Sequence, residues 1–235
     1  MKQSACGVKP PLVFDFGPLA GHIEPMERCP RIVAATRNAG KMVEMRRLLA
    51  GLPLELVGLD EYPDLVLPPE TGATYHANAR IKALGVTHAT GLPSFGDDSG
   101  LEVDALGGAP GVLSARFDGE HGTPGSRNRK LLGLLEGVPD ERRSARFRAV
   151  VVLAEPDPSG SIVEHHFEGV FEGRIALETA GEAGFGYDPV FLVPHLGLTV
   201  ASLDPESKDE LSHRGQALRA MRGFLLARDS GGLEP

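Results

Sequence analysis

The segment Phe95-Gly96-Asp97-Asp98-Ser99-Gly100 places two adjacent carboxylates where a short apolar stretch meets glycine. Two neighbouring anions repel each other unless a cation lies between them. Carboxylate oxygens are also ligands that Mg²⁺ favours in proteins. We therefore interpret Asp97 and Asp98 as a candidate Mg²⁺ site. The alternative is an ordinary turn, because Asp, Ser and Gly are all common turn residues.

Three further polar clusters follow apolar runs of strand type. In open α/β sheets, ligands bind at the carboxyl ends of strands, where helix N-termini offer free N–H groups to phosphates. We therefore expect all four clusters to surround one cavity. The further clusters are Thr36-x-Asn38-x-x-Lys41, the run Gly184-Phe185-Gly186-Tyr187-Asp188-Pro189, and Lys208 with Ser212-His213-Arg214.

The composition excludes some classes of protein. The chain has 235 residues and a formal net charge of −8, whereas proteins that coat nucleic acids or anionic membranes need a positive surface. Cys6 and Cys29 are the only cysteines, so we expect no disulfide framework. The first 29 residues contain no apolar stretch long enough for a signal peptide or a membrane span. We therefore expect a cytoplasmic protein that binds neither nucleic acid nor membrane.

Apolar periodicity predicts strands that alternate with helices. Predicted strands cover residues 32–35, 54–59, 145–154, 161–171 and 190–193, and predicted helices cover 42–52, 74–88, 128–136 and 213–228. Residues 93–106 are predicted to form a strand, an acidic turn and a further short strand, and residues 194–212 a charged loop. We expect one domain over residues 30–229, a poorly ordered extension over 1–29 and a short tail over 230–235.

Several familiar motifs are absent. Gly40-Lys41 resembles the end of a phosphate-binding P-loop, but Ala35 stands where that loop needs glycine and Met42 where it needs Ser or Thr. His165-His166 lies in a predicted strand, where consecutive side chains point to opposite faces and cannot form a helical zinc pair.

In this order, the four clusters resemble the inosine/xanthosine triphosphate pyrophosphatase family, whose members hydrolyse deaminated purine nucleoside triphosphates. The resemblance spans roughly residues 31–228 and includes Glu70-Thr71-Gly72, Ser114-Ala115-Arg116 and the run from Ser212 to Leu218. It implies an α/β fold with an elongated, curved mixed sheet flanked by helices, in two lobes around a central substrate cleft. It also implies a homodimer.

The resemblance further implies the reaction, in which water attacks the α-phosphorus in the presence of Mg²⁺ and releases pyrophosphate. Asp98 matches the family's proton acceptor and metal ligand, while Asp97 and Glu70 complete the carboxylate set. Because a bound metal lowers the pKa of its carboxylate ligand, one oxygen cannot easily do both jobs. We hypothesise that Asp98 deprotonates the water while Glu70 and Asp97 help to fix Mg²⁺.

The remaining matched positions imply contacts with the substrate. Arg37 and Lys41 make the first loop doubly cationic, although Thr36 or Asn38 could instead be helix caps. Aromatic rings at 185 and 187 can stack on a purine, and Arg214 can donate to the C6 carbonyl that adenine lacks. The implied substrate-binding residues are Thr36, Arg37, Asn38, Ala39, Gly40, Lys41, Ser99, Phe185, Gly186, Tyr187, Asp188, Lys208, His213 and Arg214.

Departures and alternatives stay open. Pro69 and Ala77 stand where relatives often carry acids, which predicts weaker metal affinity. A related nucleotide pyrophosphatase of the Maf type would begin with Ser-x-Ser-x-Arg, whereas Thr36-Arg37-Asn38 stands here. A nucleotide sensor that does not hydrolyse its ligand would not need Asp97 and Asp98.

Overall fold

The computed structural model describes residues 29–229. Apart from Cys29, which is exposed, the predicted extension lies outside the described residues, as does the predicted tail over 230–235. Over the described range, seven strands form one sheet in the order β2-β1-β3-β4-β5-β6-β7. They are β1 (Arg31–Ala34), β2 (Glu55–Val57), β3 (Ser94–Val103), β4 (Ser144–Pro156), β5 (Ile162–Ile175), β6 (Phe191–Val193) and β7 (Leu198–Thr199).

The sheet is mixed and carries helices on both faces. Strand β1 pairs in parallel with β2 and β3, and all later pairings are antiparallel. The predicted mixed sheet with flanking helices is therefore confirmed, while the two-lobed arrangement stays a prediction. The helices are α1 (Ala39–Leu48), α2 (Tyr75–Thr90), α3 (Pro124–Leu134), α4 (Pro205–Leu211) and α5 (His213–Asp229).

Apolar packing fixes these helices on the sheet. Met45 of α1 and Met221 of α5 pack with Phe95 on one face, and Ala79 of α2 packs with Val152 on the other. A third cluster surrounds Leu131 of α3. Burial of the larger side chains, such as Met45, Phe95 and Leu131, stabilises the fold by roughly 1.5–3 kcal/mol each. None of the described helices is both long enough and apolar enough to cross a membrane.

The helix boundaries follow recognisable capping signals. Thr74 caps α2, and its side chain accepts from the backbone N–H of Ala77, as the predicted helix over 74–88 anticipates. The prediction of a loop throughout residues 194–212 is wrong, because α4 begins inside it. There Asp204 caps the helix and Pro205 occupies its first turn, a pairing that starts helices.

The predicted acidic turn is also wrong. Residues Ser94–Val103 form one uninterrupted strand that pairs with β4 along its whole length. Its glycines serve close packing: a Cβ on Gly96 would lie 2.1 Å from the carbonyl oxygen of Ala79, and one on Gly100 would lie 2.3 Å from that of Gly111. Glycines that suggest a turn therefore let a helix and a loop approach the strand.

The continuous strand separates the two acids. Successive side chains of a strand point to opposite faces, so Asp98 lies on the α2 face and Asp97 on the face covered by α1 and α5. Hydrogen bonds support this assignment, because Asp98 contacts Asn78 of α2 whereas Asp97 contacts Arg214 of α5.

Candidate active site

A cavity of about 340 Å³ opens where β1 stops and β3 continues. The pairing of these strands ends at Ala34 opposite Phe95, and the chain beyond β1 turns into α1. The four polar clusters meet there, as expected. Among the predicted site residues, Ala39, Gly40 and Asp97 do not line the cavity, whereas its walls include Thr36, Arg37, Asn38, Lys41, Glu70, Asp98, Ser99, Phe185, Gly186, Tyr187, Asp188, Lys208, His213 and Arg214.

The loop before α1 is organised by its own side chains. The hydroxyl of Thr36 accepts from the N–H of Asn38 at 3.1 Å, and the side chain of Asn38 caps α1 by accepting from the N–H of Lys41 at 3.0 Å. The capping alternative is therefore correct for Asn38. The first turn of a helix leaves backbone N–H groups without intrahelical partners, which makes this wall of the cavity suitable for phosphate.

Asp97 forms ion pairs with two cations of the cavity wall. Its Oδ2 lies 2.8 Å from Nε of Arg214 and 3.1 Å from Nζ of Lys41. Burial alone would raise the pKa of Asp97, but Arg214, Lys41 and Lys82 outweigh it and hold that pKa well below its usual range. Asp97 is therefore a buried anion whose contacts fix Arg214 and Lys41.

Asp98 lies beside a lysine that the sequence motifs did not single out as a site residue. Nζ of Lys82 is 3.2 Å from Oδ1 of Asp98 and 3.0 Å from Oε1 of Glu70, while Asn78 donates to Oδ2 of Asp98 at 3.2 Å. Burial raises the pKa of Asp98, and the charges of Lys82 and Lys41 only partly offset this. The signal for these helical partners was their i, i+4 spacing, which places Asn78 and Lys82 on one face of α2.

Glu44 is a second residue that sequence reasoning missed. It is 5% exposed, and its two oxygens lie 2.6 Å from Nζ of Lys208 and 2.6 Å from Nη1 of Arg214. Lys208 also contacts Oδ2 of Asp188 at 2.6 Å. The available signal was that Glu44 lies between the apolar residues Met42 and Met45 of α1. A charge buried there needs an oppositely charged partner.

Cations surround the ring of Phe185. Nζ of Lys208 lies 4.8 Å from the ring centroid, and the guanidinium carbon of Arg214 lies 5.5 Å from it. The N–H of Phe185 donates to Asp188 at 2.8 Å, which closes a tight turn. Gly184 and Gly186 have φ of +76° and +67°, values that favour glycine. This segment therefore presents an aromatic ring close to two positive charges.

Tyr187 and His213 are more deeply packed. The phenol of Tyr187 donates to the carbonyl of Ser114 at 2.9 Å, and its ring belongs to the apolar cluster around α3. The ring of His213 stacks on Phe147 with centroids 4.8 Å apart. Burial, assisted by the charge of Arg214, lowers the pKa of His213 well below its usual range, so the imidazole is neutral. Ser99 accepts from Nη2 of Arg214 at 2.9 Å.

The three predicted metal ligands do not converge. Among residues 29–229, no group of three or more His, Cys, Asp or Glu side chains is placed to hold one ion. Asp97 does not line the cavity, whereas Glu70 and Asp98 both line it and share the ammonium of Lys82. Their carboxylate oxygens are hard ligands of the type that a small divalent cation prefers.

Comparison with known proteins gives a consistent result. The model of the Ham1 family matches residues 32–224. A dITP/XTP pyrophosphatase of Desulforamulus reducens is 50% identical over 83% of the chain and 95% of its own length, and one of Nocardia farcinica is 48% identical over 84% and 95%. A HAM1 protein of Coxiella burnetii has a solved structure that superposes with a TM-score of 0.75 at 42% identity, covering 84% of this chain and 98% of that one.

Proposed function

The chain belongs to the Ham1 family, and from this membership we propose that it hydrolyses deaminated purine nucleoside triphosphates, such as dITP, XTP and ITP. The products are the nucleoside monophosphate and pyrophosphate. The observation that carries the proposal is the position of Asp98, an acid on the cavity wall within the same pocket as Lys41, Lys82 and Arg214. In the proposal, Asp98 is the proton acceptor and the neighbouring cations bind a strongly anionic ligand.

The triphosphate binds at the α1 end of the cavity. Lys41 offers an ammonium, Thr36 a hydroxyl, and the first turn of α1 its free N–H groups. Burial lowers the pKa of Lys41, which Asp97 partly offsets. Asp97 keeps the Lys41 side chain in place at 3.1 Å. Such pre-arranged donors stabilise the charge that develops on phosphate oxygens during hydrolysis.

A divalent metal, in our proposal Mg²⁺, is held by Glu70 and Asp98. The fit is supported by their shared position on the cavity wall and by their hard oxygen donors. When bound, the ion supplies Lewis-acid polarisation of the phosphoryl group. The ammonium of Lys82 lies between the two carboxylates and reduces the electrostatic repulsion between them. We assign Asp97 to positioning rather than to metal binding, because it faces Arg214 and Lys41.

In our proposal, one carboxylate oxygen of Asp98 accepts the proton of the attacking water and the other is available to the metal, because a single oxygen cannot easily do both. The environments of the paired acids push their pKa values in opposite directions, since burial raises that of Asp98 while the neighbouring cations lower that of Asp97. Divergent environments of this kind separate the basic member of a pair from the member that stays ionised. Asn78 fixes the carboxylate by its hydrogen bond at 3.2 Å.

The purine binds against Phe185, beside Lys208, His213 and Arg214. Hypoxanthine and xanthine carry a carbonyl at C6, which accepts a hydrogen bond, whereas the amino group of adenine donates one. A donor such as Arg214 therefore favours the deaminated bases over adenine, and a site built around a buried hydrogen bond can discriminate by roughly 10⁴-fold. Asp188 and Glu44 orient Lys208 for this task.

Three further proposals concern the molecule as a whole. We propose a homodimer, because the family resemblance implies one, and light scattering of the purified protein tests it. We propose the cytoplasm as its location, where nucleoside triphosphates are made and consumed. We propose residues 30–229 as one catalytic domain. That proposal is supported by the family match over 32–224.

The decisive experiment measures pyrophosphate release from dITP, XTP, ITP, ATP and GTP, each with and without Mg²⁺. We expect turnover of the first three that depends on Mg²⁺, and kcat/KM for ATP lower by a factor of about 10³ or more. Binding of dITP without hydrolysis would instead indicate a sensor. Equal hydrolysis of ATP and ITP would contradict the assignment of the base pocket.

A further inference from the structure

Arg37 lies in the loop before α1 but does not use its guanidinium as a free cation. Its Nη1 donates to the carbonyl of Leu59 at 3.3 Å, and its Nη2 lies 2.6 Å from the carbonyl of Leu65, 3.2 Å from that of Tyr62 and 3.4 Å from that of Pro63. The planar guanidinium has five N–H donors in a fixed fork and can hold several acceptors at once.

The four carbonyls belong to the segment that joins β2 to α2, which we call the Glu70 loop (residues 58–74). This loop continues from the Arg37 contacts to Leu67 and Glu70, both of which line the cavity. Beyond Glu70, the N–H of Gly72 donates to Asn78 at 2.7 Å. The loop is therefore attached on both sides of Glu70, by Arg37 before it and by Asn78 after it, while Lys82 and Arg116 contact Glu70 itself.

The loop is only partly packed near its tip, because Leu65 and Leu67 are partly buried against the apolar cluster that contains Leu59, and no side chain from residue 60 to residue 70 is fully buried. Val66, which follows the last carbonyl that Arg37 contacts, is 88% exposed. A segment with few buried apolar contacts opens locally at low free-energy cost unless specific hydrogen bonds hold it. The contacts of Arg37 span 22 to 28 residues of sequence, so they hold the loop against the segment between β1 and α1.

We infer that Arg37 is a positioning residue, which holds the Glu70 loop so that Glu70 faces Lys82 and Asp98, and is not one of the cations that bind phosphate. The inference deepens the proposed function and rests on it for its kinetic consequences. It links the phosphate-binding loop and the metal-binding carboxylates through one side chain. Its geometric part concerns the loop alone and can be tested without substrate.

Two substitutions separate the roles of Arg37. Arg37→Lys keeps the positive charge but loses the fork, whereas Arg37→Gln loses both the charge and most of the donors. If Arg37 only supplied charge, the lysine variant would behave as wild type. If Arg37 holds the Glu70 loop, both variants lose most of the hydrogen bonds to the loop carbonyls. Arg46→Gln is the matched control, because Arg46 is an exposed arginine on α1.

The first readout is hydrogen exchange of the metal-free, full-length protein. In both Arg37 variants we expect amides in residues 59–70 to exchange at least about tenfold faster, while α5 is unchanged. The second readout is the Mg²⁺ concentration that gives half-maximal turnover of dITP. This concentration should rise by about tenfold, because the loss of a contact that orients a metal ligand typically weakens metal binding by about that factor or more. The KM for dITP at saturating Mg²⁺ should change less than about threefold.

Each outcome has a definite meaning. Wild-type exchange of the loop in Arg37→Lys, together with a raised KM for dITP in Arg37→Gln alone, would overturn the inference and return Arg37 to the phosphate site. If Arg37→Gln fails to fold, the lysine variant still decides. If wild-type protein hydrolyses none of the triphosphates, the proposed function fails, whereas the exchange experiment still tests the attachment of the loop.

Discussion

The ring of Phe185 lies against the backbone of Gly40, and a Cβ built on Gly40 would come within 2.7 Å of Cδ1 of that ring. Gly40 belongs to the first turn of α1, next to the phosphate-binding Lys41, whereas Phe185 belongs to the base pocket. Position 40 therefore needs glycine, because the ring of Phe185 occupies the space that a side chain there would fill. This contact connects the two halves of the proposed substrate site.

Gly40→Ala should disturb base recognition more than phosphate binding. The added methyl must displace the Phe185 ring, and overpacking of this kind costs about 1–3 kcal/mol. We expect kcat/KM for XTP and dITP to fall by about tenfold or more, which corresponds to roughly 1.4 kcal/mol. Inhibition by inorganic pyrophosphate, which lacks a base, should be nearly unchanged.

Gly133→Ala is the matched control for this substitution. Gly133 lies in α3, and a Cβ there would meet no atom within 4 Å. Alanine also has a higher helix propensity than glycine, by about 1 kcal/mol. We expect unchanged kinetics and equal or greater stability. Equal kinetics of Gly40→Ala and Gly133→Ala would show that the Phe185 ring has no bearing on the base pocket.

Asp98→Asn should abolish most of the turnover while leaving the fold intact. The amide keeps the size of the side chain and can still accept from Lys82, but it cannot take a proton from water. General bases contribute about 10²–10⁴-fold, so we expect a loss of that order in kcat at saturating Mg²⁺. Circular dichroism and thermal unfolding check that the fold is retained.

The corresponding control is Glu102→Gln, the same chemical change four residues further along β3. Glu102 contacts Arg148 at 3.1 Å and is not among the residues that line the cavity. Its kcat should stay within about twofold of wild type, because surface ion pairs contribute little. Near wild-type turnover of Asp98→Asn would refute the assignment of Asp98 as the proton acceptor.

Asp97→Asn should chiefly lower stability. Asp97 is fully enclosed and balances Arg214 and Lys41, so its neutralisation leaves Lys41 without its ion-pair partner and Arg214 with Glu44 alone. Breaking a buried pair from one side costs about 3–5 kcal/mol, which urea unfolding would measure. Asp118→Asn, at a partly exposed pair 3.8 Å from Lys130, should cost less than about 1 kcal/mol. Equal small losses would contradict the role of Asp97.

Much of the fold could be predicted because the elements carry local signals. Thr74 and the helical spacing that follows it indicate α2, and alternation of apolar residues indicates β4 and β5. The turn predicted around Asp97 failed because local composition cannot reveal tertiary contacts. Gly96 and Gly100 are small because α2 and the segment at Gly111 pack on them, and this reason lies outside the strand itself.

The site was predictable in its membership more than in its pairings. The motifs contain Lys41, Asp98 and Arg214, which line one cavity. This was predictable because ligand sites of open α/β sheets form at the carboxyl ends of strands. The ion pairs of Glu44 and Lys82 could not be inferred with equal ease, since each joins residues that are distant in sequence. A buried charge in a helix indicates that a partner exists but does not identify it.

The neutral state of His213 should make stability depend on pH. Burial and the charge of Arg214 lower the pKa of His213 well below its ordinary value of 6.5 in the folded protein. In the unfolded chain the imidazole takes up a proton near that ordinary value. Below it the unfolded state therefore binds more protons, and the free energy of unfolding falls as the pH falls, by about 1.4 kcal/mol per unit at most.

His213→Gln removes this contribution and isolates it from the carboxylates, which titrate in both proteins. Between pH 7 and pH 5, we expect wild type to lose about 2 kcal/mol more of its free energy of unfolding than the variant does. Urea titrations at both pH values measure the difference. His195→Gln, at an exposed position, should follow wild type. Parallel curves for wild type and His213→Gln would mean that the imidazole of His213 is protonated in the folded state too, because only then would acid favour neither form through this residue.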